Sequence, residues 1–104
     1  MLNSANEKHK QQFPNVRSIR RACNRELYRT VKKLKVRIAP EPMKQAEELY
    51  LKKVMLNLPF IMETGSNRKA LADWWEQNVS AEIAPLWNVD VNALNRAFRD
   101  SFGG

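Results

Sequence analysis

Apolar residues recur every three or four positions along most of this chain, and prolines or short polar stretches separate the recurring segments. A spacing of three to four places side chains on one side of an α-helix, whereas a half-buried strand would need strict alternation. The first segment carries one long stripe made of Val16, Ile19, Cys23, Leu27, Val31, Leu34 and Ile38. The chain is therefore predicted to be all-α, with helices that bury their stripes against one another.

Prolines set the predicted boundaries of the helices. Ala39-Pro40-Glu41-Pro42 ends the first segment, because proline lacks an N–H and disfavours helical geometry in the residue before it. Further helices are predicted from Pro42 to Pro59, from Leu71 toward Ile83 with Pro85 closing that segment, and from Val91 to Phe102. The predicted architecture is a small bundle of about four helices with a long basic amphipathic helix at its N-terminal side.

Charge is distributed very unevenly along the sequence. Residues 1–39 hold eleven Lys and Arg against two acids, whereas residues 40–104 hold seven against nine. The total charge of +7 therefore conceals a strongly basic first part and a nearly neutral remainder. Such asymmetry points to a nucleic acid, an anionic membrane or an acidic protein as the partner.

With 104 residues, the chain has room for one small domain. We predict a flexible polar tail at 1–14, a basic amphipathic helix at 15–39 and a small helical domain at 40–104. The end of the basic helix is ambiguous, because residues 34–38 alternate apolar and basic side chains as a short strand would. Helix is the favoured interpretation of these five residues.

The polar side of the basic helix is the predicted nucleic-acid interface. Its cations would neutralise phosphates and release counterions, which suffices for binding without sequence preference. Arginine adds a planar fork that fits phosphate oxygens or base edges, and lysine adds a hydrated point charge. The predicted contacts are Arg17, Arg20, Arg21, Arg25, Arg29, Lys32, Lys33 and Lys35. Tyr28 lies near this face and offers a ring on which an exposed base could stack.

Residues 65–69, Gly-Ser-Asn-Arg-Lys, form a second candidate for anion binding. Free N–H groups at a helix start, together with Arg68 and Lys69, could hold a phosphate. The competing interpretation is that Ser66 or Asn67 only caps the helix. The segment lacks the spacing of a nucleotide-binding glycine loop, so this site is secondary to the basic helix.

A helix-turn-helix is a further possibility for the C-terminal part. It would present Asn92, Asn95, Arg96 and Arg99 to a DNA groove. The stretch from Ala81 to Asp90, interpreted as a proline-containing connection, is too long for the compact turn of that motif. This reading is therefore disfavoured.

The alternative function is that of a helical adaptor or structural subunit in a larger protein or nucleoprotein assembly, including a viral one. The partner would be another protein or a second copy of the chain. Its predicted interface comprises Leu27, Val31, Trp74, Trp75 and Trp87. In that case Leu27→Asp or Val31→Asp would abolish complex formation. Packing in the chain's own core is the competing explanation for the tryptophans.

Enzymatic and metal-binding functions find little support in the sequence. His9 is the single histidine and Cys23 the single cysteine, and no carboxylate pair stands out, so no catalytic residue, metal site or cofactor is predicted. The lone cysteine fits a reducing compartment. Met1–Gln12 lacks the apolar core of a signal peptide, and the apolar run Val54–Met62 is too short to span a bilayer.

A non-enzymatic protein of the cytoplasm or nucleoid, bound to DNA or RNA, is therefore the prediction. Attachment to a membrane surface is disfavoured, because the apolar stripe of the basic helix lacks the Trp and Phe that suit interfacial insertion.

Overall fold

The computed structural model describes residues 15–64 and 67–102. Within these ranges every regular element is a helix and no residue is in a strand, which confirms the all-α class. The predicted tail at 1–14 and the glycines at 103–104 lie outside the described residues. The helices of the described residues are α1 (Val16–Leu34), α2 (Pro40–Leu56), α3 (Leu58–Glu63), α4 (Arg68–Asn78), α5 (Ser80–Trp87) and α6 (Val91–Phe102). There are thus six helices in the described part, where about four were predicted, because a short helix follows the predicted stop at Pro59 and the segment from Leu71 toward Ile83 divides in two.

Helix α1 has a defined cap at each end. The side-chain oxygen of Asn15 accepts a hydrogen bond from the Ser18 N–H at 2.8 Å, which satisfies one of the free donors at the helix start. Lys35 at the other end has φ 60° and ψ 36°, a left-handed conformation that stops a right-handed helix. Residues 36–39 are neither helix nor strand. The prediction that the helix continues to Ile38 is therefore wrong, and so is the strand alternative.

Proline positions explain why α2 and α3 are separate. Helix α2 starts at Pro40, two residues earlier than predicted, because a proline in the first turn needs no N–H partner. Pro59 cannot continue α2, since its ring clashes with the preceding turn, but it fits the first turn of α3. Asn57 forms the corner, and its side-chain amide donates to the Lys53 carbonyl at 2.9 Å.

The predicted loop between Ala81 and Asp90 is largely helical. The helical pattern that begins in α4 breaks at Val79 and resumes in α5, which contains Pro85. Pro85 removes a hydrogen bond from the Ala81 carbonyl, but both residues are exposed, so water can satisfy that oxygen. Only residues 88–90 connect α5 to α6, and Asn88 takes the left-handed conformation that this tight turn needs.

The core forms where α1, α4 and α6 meet α2 and α5. Trp75 is fully buried at its centre, stacked on Phe98 with 4.0 Å between ring centroids and edge-on to Tyr50 at 6.2 Å. Leu27 of α1 is also fully buried. Burial of such side chains contributes about 1.5–3 kcal/mol each. These contacts fix the rotation of α1 and thereby decide which of its side chains face solvent.

A half-buried acid, Glu26, joins α1 to α2. The Tyr50 hydroxyl donates a hydrogen bond to Glu26 Oε1, and Tyr50 is 1% exposed. Both groups border an apolar cavity of about 250 Å³. Loss of hydration raises the pKa of Glu26, and it outweighs the opposing effects of the Tyr50 hydrogen bond and of the Arg25 and Arg29 charges.

We expect Glu26→Gln to raise the free energy of unfolding at neutral pH and to leave it nearly unchanged in acid. Because the pKa of Glu26 is higher in the folded chain, this carboxyl contributes stability below its unfolded-state pKa, and that contribution is lost as the pH rises through the folded-state pKa. Glutamine keeps an acceptor for Tyr50 without the charge. Urea unfolding at several pH values measures the effect, with the exposed Glu63→Gln as control. A gain that persists in acid would contradict the explanation.

Candidate nucleic-acid interface

The side of α1 that faces away from the core is cationic. Ile19, Cys23, Leu27 and Thr30 are buried on one side of the helix. Successive residues turn by about 100°, so the basic residues between them point outward. The exposed cations are Arg17, Arg21, Arg25, Arg29, Lys32 and Lys33, and Lys35 is exposed just beyond the end of the helix. We call these seven residues the α1 cationic face.

The α1 cationic face forms no ion pair with acids of the described residues, although the charge of Glu26 acts on Arg25 and Arg29. Among residues 15–64 and 67–102, no carboxylate lies within 4.0 Å of a cationic group of the face. Arg20 differs, because its guanidinium contacts Glu48 Oε2 of α2 at 2.8 Å. Seven of the eight residues predicted to contact phosphates thus lie on one accessible surface. The eighth, Arg20, forms an ion pair with Glu48 of the same chain.

Several cations outside α1 are engaged by neighbouring acids. Arg99 of α6 reaches Asp73 at 2.6 Å and Glu76 at 3.0 Å. Hydrogen bonds from Arg99 and Lys69 lower the pKa of Asp73, and its acidic partners raise the pKa of Arg99. Lys53 meets Glu82 at 2.7 Å. These pairs link α4 to α6 and α2 to α5, so they serve the fold, whereas the α1 cations remain exposed.

The second candidate site is only partly described. Gly65 and Ser66 lie outside the described residues. Asn67 Oδ1 accepts a hydrogen bond from the Ala70 N–H at 3.0 Å, so this residue caps α4. Lys69 contacts Asp73 at 3.3 Å, and Arg68 is exposed at the start of the helix. The capping interpretation therefore holds for Asn67.

A groove runs beside the end of α1 and includes a residue that the sequence did not suggest. It is lined by Arg29, Lys32, Lys33 and Lys35 together with Ser101 of α6. The Ser101 hydroxyl donates a hydrogen bond to the Ala97 carbonyl at 2.9 Å. The lone pairs of the Ser101 oxygen can therefore accept hydrogen bonds from other donors. No local pattern could have identified Ser101, because its position depends on the packing of α6 along α1.

The predicted partner interface is mostly internal. Leu27 and Trp75 are fully buried, Trp74 and Trp87 are each 6% exposed, and Val31 is half-buried. The reason is that α4 packs against both α5 and α6, so both adjacent tryptophans find apolar neighbours. In this fold Leu27 and Trp75 present no surface to another protein, and Trp74 and Trp87 present very little. The exposed large apolar residues of α2 and α3 are Met55, Leu56, Phe60 and Met62.

The structure removes one argument against a helix-turn-helix and supplies others. Its three-residue connection is compact, so the objection based on loop length is wrong. However, Arg99 is held by Asp73 and Glu76, and the buried Asn95 Oδ1 points away from solvent. Asn92 and Arg96 are exposed, followed one turn later by the exposed Asp100. The outer side of α6 is therefore a weaker phosphate surface than the α1 cationic face.

Cys23 has no nucleophilic character in this environment. It is 3% exposed, and burial raises the pKa of its thiol to about 12, so the reactive thiolate is negligible at neutral pH. Within the described ranges no three His, Cys, Asp or Glu side chains cluster in a way that could hold a metal ion.

Comparison with known proteins finds no matching family model, no similar curated protein and no similar solved structure. The described helices also include none with the length and hydropathy needed to cross a bilayer.

Proposed function

We propose that this protein is a non-enzymatic nucleic-acid-binding protein whose α1 cationic face contacts phosphates. The supporting observation is that seven cations of α1 and its end are exposed and lack acidic partners within the described residues. Side chains kept only for solubility need no such concentration on one helix. The proposed ligand is DNA or RNA, and the proposed location is the cytoplasm or nucleoid.

The geometry suits a polyanion in two respects. Helix α1 has 19 residues and is therefore about 28 Å long, which lets its cations follow several consecutive phosphates. The groove beside Lys33 and Ser101 adds a concave end to this surface. Arginine forks and lysine ammonium groups in such a row provide binding energy without reading sequence.

We expect the affinity of the wild-type protein to fall steeply with salt. Each phosphate neutralised contributes about 0.9 to the slope of log affinity against log salt concentration on duplex DNA, and about 0.7 on a single strand. If four or more cations of the face contact phosphates, the slope is negative and its magnitude is about 3 or more. Fluorescence anisotropy of a labelled oligonucleotide over a salt series measures it. Affinity that does not respond to salt would contradict the proposal.

The second candidate function is a helical adaptor. Exposed Met55, Leu56, Phe60 and Met62 flank the corner at Asn57, and Leu56 is 70% exposed. Exposed apolar side chains of this size are candidates for contact with another protein, although Leu56 and Phe60 line different grooves. The adaptor function is therefore proposed for the α2–α3 corner and no longer for the stripe of α1. Leu56→Asp would abolish such an association and leave nucleic-acid affinity unchanged.

A further inference from the structure

Tyr28 is an exposed aromatic ring within the α1 cationic face. It is 62% exposed, and no hydrogen bond or ring contact involves it among the described residues. Arg21 and Lys32 lie within about 40° of it around the helix, seven and four residues away, or about 10 Å and 6 Å along the axis. The ring therefore contributes little to the core and stands in a row of cations.

On one side of Tyr28 the row of cations widens. Arg25 and Arg29 lie at about 60° and 100° from Tyr28 around the helix, and both are exposed. Lys33 lies further round on the same side, where the groove with Ser101 begins. A phosphate chain that follows this side meets positive charge along the whole helix.

On the other side of Tyr28 available positive charge is sparse. Arg17 lies there at about 20° from the ring, eleven residues toward the start of the helix. Asn24 and Val31, at about 40° and 60°, carry no charge. Arg20 comes next, and its guanidinium is bound to Glu48. Apart from Arg17, the cations of the helix that are available for phosphates thus lie on one side of Tyr28.

Such a one-sided arrangement fits one phosphate chain better than two. A helix that enters a duplex groove lies between two backbones, so donors on both of its sides find phosphates there. The faces of duplex bases are also covered by their neighbours in the stack, so a ring on the protein surface reaches them only by unstacking the duplex. A single strand exposes its base faces next to its phosphates, and exposed aromatic rings bind them by stacking.

We propose that the ligand of the α1 cationic face is single-stranded nucleic acid and that the ring of Tyr28 stacks on one of its bases. This inference rests on the proposed function and specifies the class of nucleic acid. Arg21, Arg25 and Lys32 hold phosphates on either side of the stacked base, and the groove at Lys33 accepts the continuing chain. The site gains affinity from bases as well as from phosphates, which separates it from a general polyanion surface.

The test compares three ligands by anisotropy or competition. They are a single-stranded oligonucleotide of mixed sequence, the duplex that it forms with its complement, and polyphosphate, which has phosphates but no bases. DNA and RNA versions of the first two are used. The variants are Tyr28→Ala, which removes the ring, and Tyr28→Phe, which keeps it. Circular dichroism checks that both variants retain the helical fold.

We expect the wild-type protein to bind the single strand more tightly than the duplex. Tyr28→Ala should weaken single-strand binding about tenfold, while Tyr28→Phe stays within about twofold of wild type. Duplex and polyphosphate affinities and the salt slope should not change in either variant, because the cations are intact.

Three results would overturn the single-strand inference alone. They are an unchanged single-strand affinity in Tyr28→Ala, an equal loss for all three ligands, and a wild-type preference for the duplex. In each case the binding of phosphates by α1 would still stand. If the wild-type protein binds none of the three ligands, the proposed function itself fails and the inference fails with it.

Discussion

Reversing Arg21, Arg25 and Arg29 to glutamate should lower nucleic-acid affinity by about a hundredfold or more at physiological salt. On a single strand each phosphate contact contributes about 0.7 to the salt slope, which at about 0.15 M salt corresponds to roughly a fourfold gain in affinity. Loss of three contacts multiplies to about fiftyfold, and repulsion by the new carboxylates increases the loss further. The slope itself should become shallower by about two. Anisotropy titrations of wild type and variant over the same salt series provide both quantities.

A matched control separates position from net charge. Lys44, Lys52 and Arg96 are exposed on α2 and α6 and have no ion pair among the described residues. Their reversal to glutamate changes the protein's charge by the same amount. We expect this variant to lose far less affinity and to keep most of its salt slope. Equal losses in the two triple variants would mean that the binding depends on overall charge and that α1 has no special role.

Local sequence patterns predicted the buried side of α1 but not the end of the helix. The spacing from Ile19 to Leu27 fixes one buried side, because a helix that packs on one face needs apolar residues at that period. The stop at Lys35 could not be predicted, since a left-handed lysine has no strong local signature. Pro85 led to the opposite error, because the prediction ended a helix there and the structure continues it. Pro85 lies inside α5, where the exposed Ala81 carbonyl that loses its partner can bond to water, although this residue type usually ends helices.

At the candidate site, too, local sequence patterns predict some features, and other features depend on tertiary packing. The exposure of Arg21 and Arg25 follows from their position opposite the buried stripe. By contrast, the pairing of Arg20 with Glu48 joins residues 28 positions apart. The presence of Ser101 in the groove likewise depends on how α6 packs along α1. Periodicity therefore predicts which side of a helix is polar, but tertiary packing decides which of its polar groups remain available to a ligand.

Leu27→Asp should abolish cooperative folding, whereas Leu56→Asp should change the free energy of unfolding by no more than about 0.5 kcal/mol. Leu27 is fully buried between α1 and the body of the domain, while Leu56 is 70% exposed. Removing a buried leucine side chain alone costs about 2.7–5 kcal/mol. An unpaired buried carboxylate costs more, and a small domain has only about 5–15 kcal/mol of stability in total.

Urea unfolding followed by tryptophan fluorescence and far-ultraviolet circular dichroism compares the two variants. The three tryptophans are buried, so their emission reports on the core. A Leu27→Asp protein with the wild-type unfolding midpoint would show that α1 is not packed on the body as described. The rotation that turns its cations toward solvent would then lose its structural basis. A folded Leu56→Asp protein ensures that any loss of association in that variant reflects the α2–α3 corner and not general unfolding.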